Sequence, residues 1–239
     1  MLRTDPAPHT PHAASVPSPH DATISRFGER GWPLAAVAAG VLGIAATFLT
    51  DLHVETADGA PTTAAIVDRV SASAAHAGII TGYLTVGFLL LLAASWQRHI
   101  GSRRPESTAA RLVPLGIVAS AGALSLGYGW KGALAIYLPG ASEENAYDQQ
   151  GLYIYYMLND FGSFIGWLGV IVAAAAVAWM GLRERSLPVW LGALSILPPL
   201  GVVAFVGAIG LPGAPGLFGA LWLVIAGVAL LLRNPFARA

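Results

Sequence analysis

The chain has 239 residues, 55% of them hydrophobic and 11% charged, and its formal net charge at pH 7 is zero. A soluble domain carries about 25% charged residues, so most of this surface has to face lipid, and a neutral chain offers no basic footprint to nucleic acid. The absence of cysteine excludes disulfides, thiolate metal sites, a cysteine nucleophile and thioether-linked haem.

Residues 1–28 form a polar tail rich in Pro, Ser, Ala and His. They can bury too little apolar surface to offset chain entropy, so they are expected to be disordered. No apolar run near the start marks a secretory signal. His9, His12 and His20 lack the spacing of a metal site and read as part of a solvated linker.

Six apolar spans follow, at about 32–50, 72–96, 112–138, 151–181, 187–209 and 216–232. An α-helix of about 20 apolar residues, rising 1.5 Å per residue, crosses a ~30 Å hydrocarbon core. The expected fold is therefore all-α: a polytopic membrane protein with six transmembrane helices over 29–233 and a short tail at 234–239. Pro198 and Pro199 remove two backbone donors and should kink the fifth span.

Orientation follows from the arginines, which favour the cytoplasmic side. Arg30, Arg98, Arg103, Arg104, Arg111, Arg183, Arg185 and Arg233 all fall on one side of a six-span arrangement. The other side has Arg69 and collects Asp51, Glu55, Asp58, Asp68, Glu143, Glu144 and Asp148. Both termini are thus expected in the cytoplasm, with the protein in the plasma membrane. Trp32, Trp96, Trp179 and Trp190 would mark the inner interface, and Tyr137, Tyr153, Tyr155 and Tyr156 the outer one.

A short pattern recurs. His76-Ala-Gly78-Ile-Ile-Thr-Gly82-Tyr83-Leu84 in the second span matches Asp160-Phe-Gly162-Ser-Phe-Ile-Gly166-Trp167-Leu168 in the fourth. A parallel hairpin repeat would produce this, and so would coincidence in a Gly/Ala-rich chain; both stand. The GxxxG pairs allow close helix approach, within one chain or in a homo-oligomer.

Three ionisable residues lie within or at the ends of spans: His76, Lys131 and Asp160. Such residues are costly in lipid and are functional candidates by default. Arg98 follows His76 by 22 residues, Arg111 precedes Lys131 by 20, and Arg183 follows Asp160 by 23. At helical rise these are separations of roughly 30–35 Å, which puts all three at one level near the outer boundary. Asp51 falls at the same level. Tyr83 shares the face of His76, Tyr128 that of Lys131, and Ser163, Phe164 and Trp167 that of Asp160. The expected picture is an outward-opening cleft whose binding residues are His76, Lys131 and Asp160 with Tyr83, Tyr128, Trp130 and Trp167. Asp160 would exchange a proton or bind a cation, Lys131 would bind an anionic group or tune Asp160, and His76 would relay protons. The alternative is structural: Lys131 and Asp160 pair to lock two helices, and His76 bonds a carbonyl or interfacial water.

No P-loop, dinucleotide fingerprint, HExxH or GxSxG occurs. His53 and His76 lack a repeated helical spacing for haem or copper, so neither cofactor nor metal is expected.

The stretches LGYGWKGALAIYLPG at 126–140 and GLYIYYMLNDFGSFIGW at 151–167, with the Arg-ended helices, give the chain a character that resembles small multi-span membrane proteins of unknown function from actinobacteria. That resemblance covers about residues 30–232 and implies no activity. In being short, polytopic and aromatic-lined, the chain is also similar to membrane-embedded terpene cyclases. Those rely on several buried acidic residues, where this chain offers Asp160 alone.

Three readings follow. The leading one is a protein that binds or transports a small solute or lipid from its outer face. The second is a membrane-embedded enzyme acting on an isoprenoid or other lipid, with Asp160 as general acid and Tyr128, Trp130 and Trp167 stabilising cations. The third is a structural accessory subunit.

Overall fold

A computed structural model describes residues 31–56 and 61–232. The two tails, 1–28 and 234–239, lie outside the described residues. Among the described residues every regular element is helical. Five helical runs are long and apolar enough to cross a membrane: Ala72–Arg103, Thr108–Tyr137, Gln149–Leu182, Val189–Ile209 and Ala214–Leu232. The protein is a membrane-embedded helix bundle. The first apolar span is shorter than these, at Leu34–Leu49.

In chain order the elements are α1 (Leu34–Ile44), a π-helical turn (Ala45–Leu49), a 3₁₀ helix (Ala64–Arg69), α2 (Ala72–His99), α3 (Thr108–Tyr137), α4 (Gln149–Ile165), α5 (Leu168–Leu182), α6 (Val189–Leu194), α7 (Leu197–Ile209) and α8 (Ala214–Leu232). The centre is α3. It packs against α2 on one flank and against α4 and α5 on the other, while α1 lies between α2 and α8.

Local chemistry sets the helix ends. Ser71, Ser107 and Asp148 cap α2, α3 and α4 by accepting from the backbone N–H groups of Ala74, Ala110 and Gly151. The Ser107 hydroxyl also donates to Glu184 at 2.8 Å, which ties the start of α3 to the end of α5.

The fourth and fifth apolar spans are each two helices. Pro198 and Pro199 stand at the start of α7 and end the preceding α6, as missing donors require. At the end of α6 the buried Ser195 hydroxyl donates to Leu191 O at 2.7 Å and accepts from Trp222 Nε1 at 3.0 Å, which ties the break to α8. The break between α4 and α5 contains no proline. There Trp167 N–H turns to Phe164 O at 3.3 Å, and the fully buried indole swings toward α1. Ser120 of α3 then caps the restarted helix by accepting from Val170 N–H at 2.9 Å.

A third proline sits inside a helix that does not break. Pro114 has no N–H for Ala110 O, which α3 would otherwise satisfy. The buried Trp96 indole N–H takes that carbonyl at 3.1 Å. Trp96→Phe is therefore expected to lower stability by about 1–2 kcal/mol through the orphaned carbonyl. In a Pro114→Ala background most of that loss should vanish, because the alanine restores the helical donor. Thermal unfolding of the four proteins in one detergent reads this directly.

The Gly pairs of the recurring pattern are used within the chain. A Cβ on Gly78 would overlap the Lys131 stem, and one on Gly82 would overlap the Tyr128 ring. A Cβ on Gly162 would lie 2.6 Å from Trp130, and one on Gly166 would lie 2.7 Å from Leu124. Both glycine seams thus receive α3, one from each side.

Candidate functional site

The polar centre of the bundle is Lys131, which is fully buried. Its position follows from the end of α1. The last carbonyls of a helix have no intrahelical partner and carry partial negative charge. Here the helix also widens: Thr50 N–H reaches back five residues to Ala45 O at 3.1 Å, the π-type bond. This leaves Ala46 O and Thr50 O facing α3. Lys131 Nζ donates to Ala46 O at 2.7 Å, to Thr50 O at 2.8 Å and to Thr50 Oγ1 at 3.3 Å. An ammonium has three protons, and each has an acceptor. Lys131 is the cap of a helix other than its own, and its stem crosses α2 over Gly78.

A second polar knot lies one turn below. Thr47, within the π-helical turn, has its hydroxyl 3.1 Å from Tyr128 Oη and accepts from Trp167 Nε1 at 3.4 Å. Tyr128 and Trp167 are both fully buried, their rings seated over Gly82 and Gly43. Phe48 and Phe164 meet edge-on beside them with ring centres 5.5 Å apart. Spans one, three and four are thereby tied together by hydroxyls and indole, with α2 supplying the flat seat.

Above Lys131 the chain closes over. Leu52, Ile66, Val67 and Val70 from the first connection pack with Leu134, Leu138, Leu152 and Tyr156 as a separate apolar cluster. Polar ties hold this roof. Val54 N–H donates to Tyr156 Oη at 3.3 Å, Tyr153 Oη donates to Thr62 O at 3.1 Å, and Gln149 Nε2 donates to Asp68 Oδ2 at 2.7 Å.

Asp160 does not meet Lys131. Its Oδ1 is 3.5 Å from His53 Nδ1, and the two side chains are 36% and 57% exposed. The expected Lys131–Asp160 ion pair is corrected accordingly: backbone carbonyls freed by the π-helical turn take the ammonium, and the carboxylate stays at the rim with a histidine. The neighbouring Asn159 points inward and is 2% exposed. Its amide oxygen has no hydrogen-bond partner among the described residues.

The other sequence candidates divide. Tyr128 and Trp167 join the buried knot, and Trp130 is half-buried against Gly162. His76 is exposed, and Tyr83 is 50% exposed on α2, so neither faces Lys131 or Asp160. Sequence reasoning missed Thr47, Thr50 and Asn159. Threonines near the end of an otherwise apolar span were the available signal for the first two.

The aromatic residues separate by end. Trp32 packs edge-on against Trp96, with ring centres 6.2 Å apart, and stacks on His99 at the arginine-rich end. Tyr137, Tyr147 and Tyr155 cluster at the opposite end, with Tyr137 and Tyr147 4.8 Å apart.

No protein-family model, no curated protein and no solved structure matches the chain. The fold and the site therefore rest on the chain's own geometry, and no match bears on the actinobacterial resemblance.

Proposed function

We propose that the protein spans the plasma membrane six times, with both termini in the cytoplasm, and binds a small cationic solute at its outer mouth. The first apolar stretch makes the sixth crossing together with residues 31–33 and 50–51, where its π-helical turn meets the boundary.

The observation that carries the reading is the release of Asp160 from Lys131. A lysine fully supplied by Ala46 O and Thr50 leaves the carboxylate available, with the exposed His53 beside it. The adjacent Asn159 oxygen is a buried acceptor with no donor among the described residues. Leaving such a group unmet costs about 1–3 kcal/mol, so a solute that brings an N–H donor would recover that loss. Asp160 supplies charge at the rim and Asn159 supplies a hydrogen bond below it. Asp51, Glu55, Asp68 and the acidic 143–148 loop favour the approach of cations on the same side.

Native mass spectrometry of the detergent-purified protein tests this. Wild type should retain a small-molecule adduct that Asp160→Asn loses, with unfolding temperature unchanged because Asp160 clasps no helix. Equal adducts in the two proteins would refute the reading.

The structural reading has its own observation, the saturated Lys131 cap. It predicts that Asp160→Asn is silent in every assay. For the isoprenoid-enzyme reading, Tyr128 and Trp167 are fully buried and fill packing seats over Gly82 and Gly43, whereas Asp160 stands at the rim with His53.

A further inference from the structure

The arginine-rich end carries a feature that the solute reading does not use. Between α2 and α3 runs an open groove of about 480 Å³, with Leu90 and Ala94 on one wall and Leu115 and Val118 on the other. Gln97 and Arg111 stand at its end. The volume lies in the range that takes a lipid chain or a drug-sized ligand.

Helical phase extends the groove. Arg111, Leu115, Val118 and Gly122 follow at spacings of four, three and four, and so share one face of α3. On α2, Gly87, Leu90, Ala94 and Gln97 do the same. The helices are antiparallel, with Gly82 seated on Tyr128 and Gly132 on Ile79, so Gly87 and Gly122 stand at one level. Both are exposed, and a Cβ on either would meet nothing within 4 Å. From Arg111 to Gly122 the groove is ~16 Å long at helical rise.

One end is charged and the rest is apolar. The connection from Arg98 to Arg111 holds four arginines against a single carboxylate, Glu106. The Arg111 guanidinium donates through Nη2 to Pro105 O, which fixes it at the mouth. A guanidinium has five N–H donors and matches phosphate well. Gln97 adds an amide beside it.

We propose that this groove binds an anionic glycerophospholipid, with its phosphate on Arg111 and Gln97 and one acyl chain running along α2 and α3 toward Gly87 and Gly122. The charge pattern selects this occupant over a zwitterionic lipid, because a headgroup with net negative charge keeps its full attraction to Arg111 at the groove's end and to the arginine-rich connection that carries it. The length selects an acyl chain, and the missing side chains at Gly87 and Gly122 leave room for its tail. The proposal does not depend on the solute mouth at the opposite end.

The test uses the full-length protein in detergent, delipidated and titrated with phosphatidylglycerol or phosphatidylcholine of the same acyl composition, with adducts counted by native mass spectrometry. Wild type should retain phosphatidylglycerol over phosphatidylcholine. Arg111→Gln should weaken phosphatidylglycerol retention about fivefold, the effect of one interfacial arginine, and weaken phosphatidylcholine by less, so that the preference between the two lipids falls. Gly122→Leu, which fills open space, should weaken both lipids at an unchanged unfolding temperature. Equal retention of the two lipids by wild type, or unchanged retention in Arg111→Gln, would overturn the headgroup assignment. Unchanged retention in Gly122→Leu would overturn the acyl seat.

Discussion

Replacing Lys131 by methionine is expected to destabilise the protein by about 1–3 kcal/mol, because the change leaves the part-buried Thr50 carbonyl without a side-chain donor and Ala46 O with the Thr50 hydroxyl alone. Those carbonyls, Ala46 O and Thr50 O, end the first helix, and the one other side-chain donor to them among the described residues is the Thr50 hydroxyl, which reaches Ala46 O at 2.9 Å. Methionine keeps the length and the contact with Gly78, so the loss reports the ammonium. Partner identity is read from double-mutant cycles. Groups that share contacts couple, and separated groups add. Lys131→Met should couple strongly to Thr50→Val and combine additively with Asp160→Leu. Recovery of stability in the Lys131→Met, Asp160→Leu protein would restore the ion pair and remove the helix-cap account.

The second large effect concerns the seam between α3 and α5. A Cβ on Gly169 would overlap Gly116 O and lie 2.8 Å from Ser120 N, so it meets main chain that cannot rotate away. The neighbouring Val170 N–H bond to Ser120 Oγ depends on the same approach. Gly169→Ala should therefore cost about 3 kcal/mol or more, at the upper end for overpacking. Gly87→Ala is the matched control. With open space around that Cβ, it should gain up to about 1 kcal/mol from helix propensity. Chemical unfolding in mixed micelles of both variants tests the contrast. A mild effect at Gly169 would mean that the helices stand farther apart than described.

The spans were legible in the sequence because hydrophobic length is a one-dimensional signal, and so was the break at Pro198, where the donor is missing outright. The break at Gly166–Trp167 was not, since it depends on where a buried indole finds Thr47. Counting from the arginines put Lys131, Asp160 and Asp51 at one level, and the described residues place Lys131 on Thr50 beside Asp51. Level alone does not give azimuth. His76 lies only two residues from Gly78, yet two residues turn a helix by about 200°, so Gly78 seats Lys131 while His76 points outward. The acceptors of Lys131 were hidden for a different reason. They are mostly main-chain oxygens, which every residue carries, and only the widened turn at Ala45–Leu49 makes them available.

The claim on which the account turns is that Asp160 sits at a mouth open to the outside while the bundle below it is closed. The chain has no cysteine, so single replacements can be read in intact cells with a membrane-impermeant maleimide. His53→Cys and Asp160→Cys should label in intact cells, Ser163→Cys should stay unlabelled, and Arg98→Cys should label only after permeabilisation. Labelling of Asp160→Cys only after permeabilisation, or of Ser163→Cys as readily as Asp160→Cys, would contradict it.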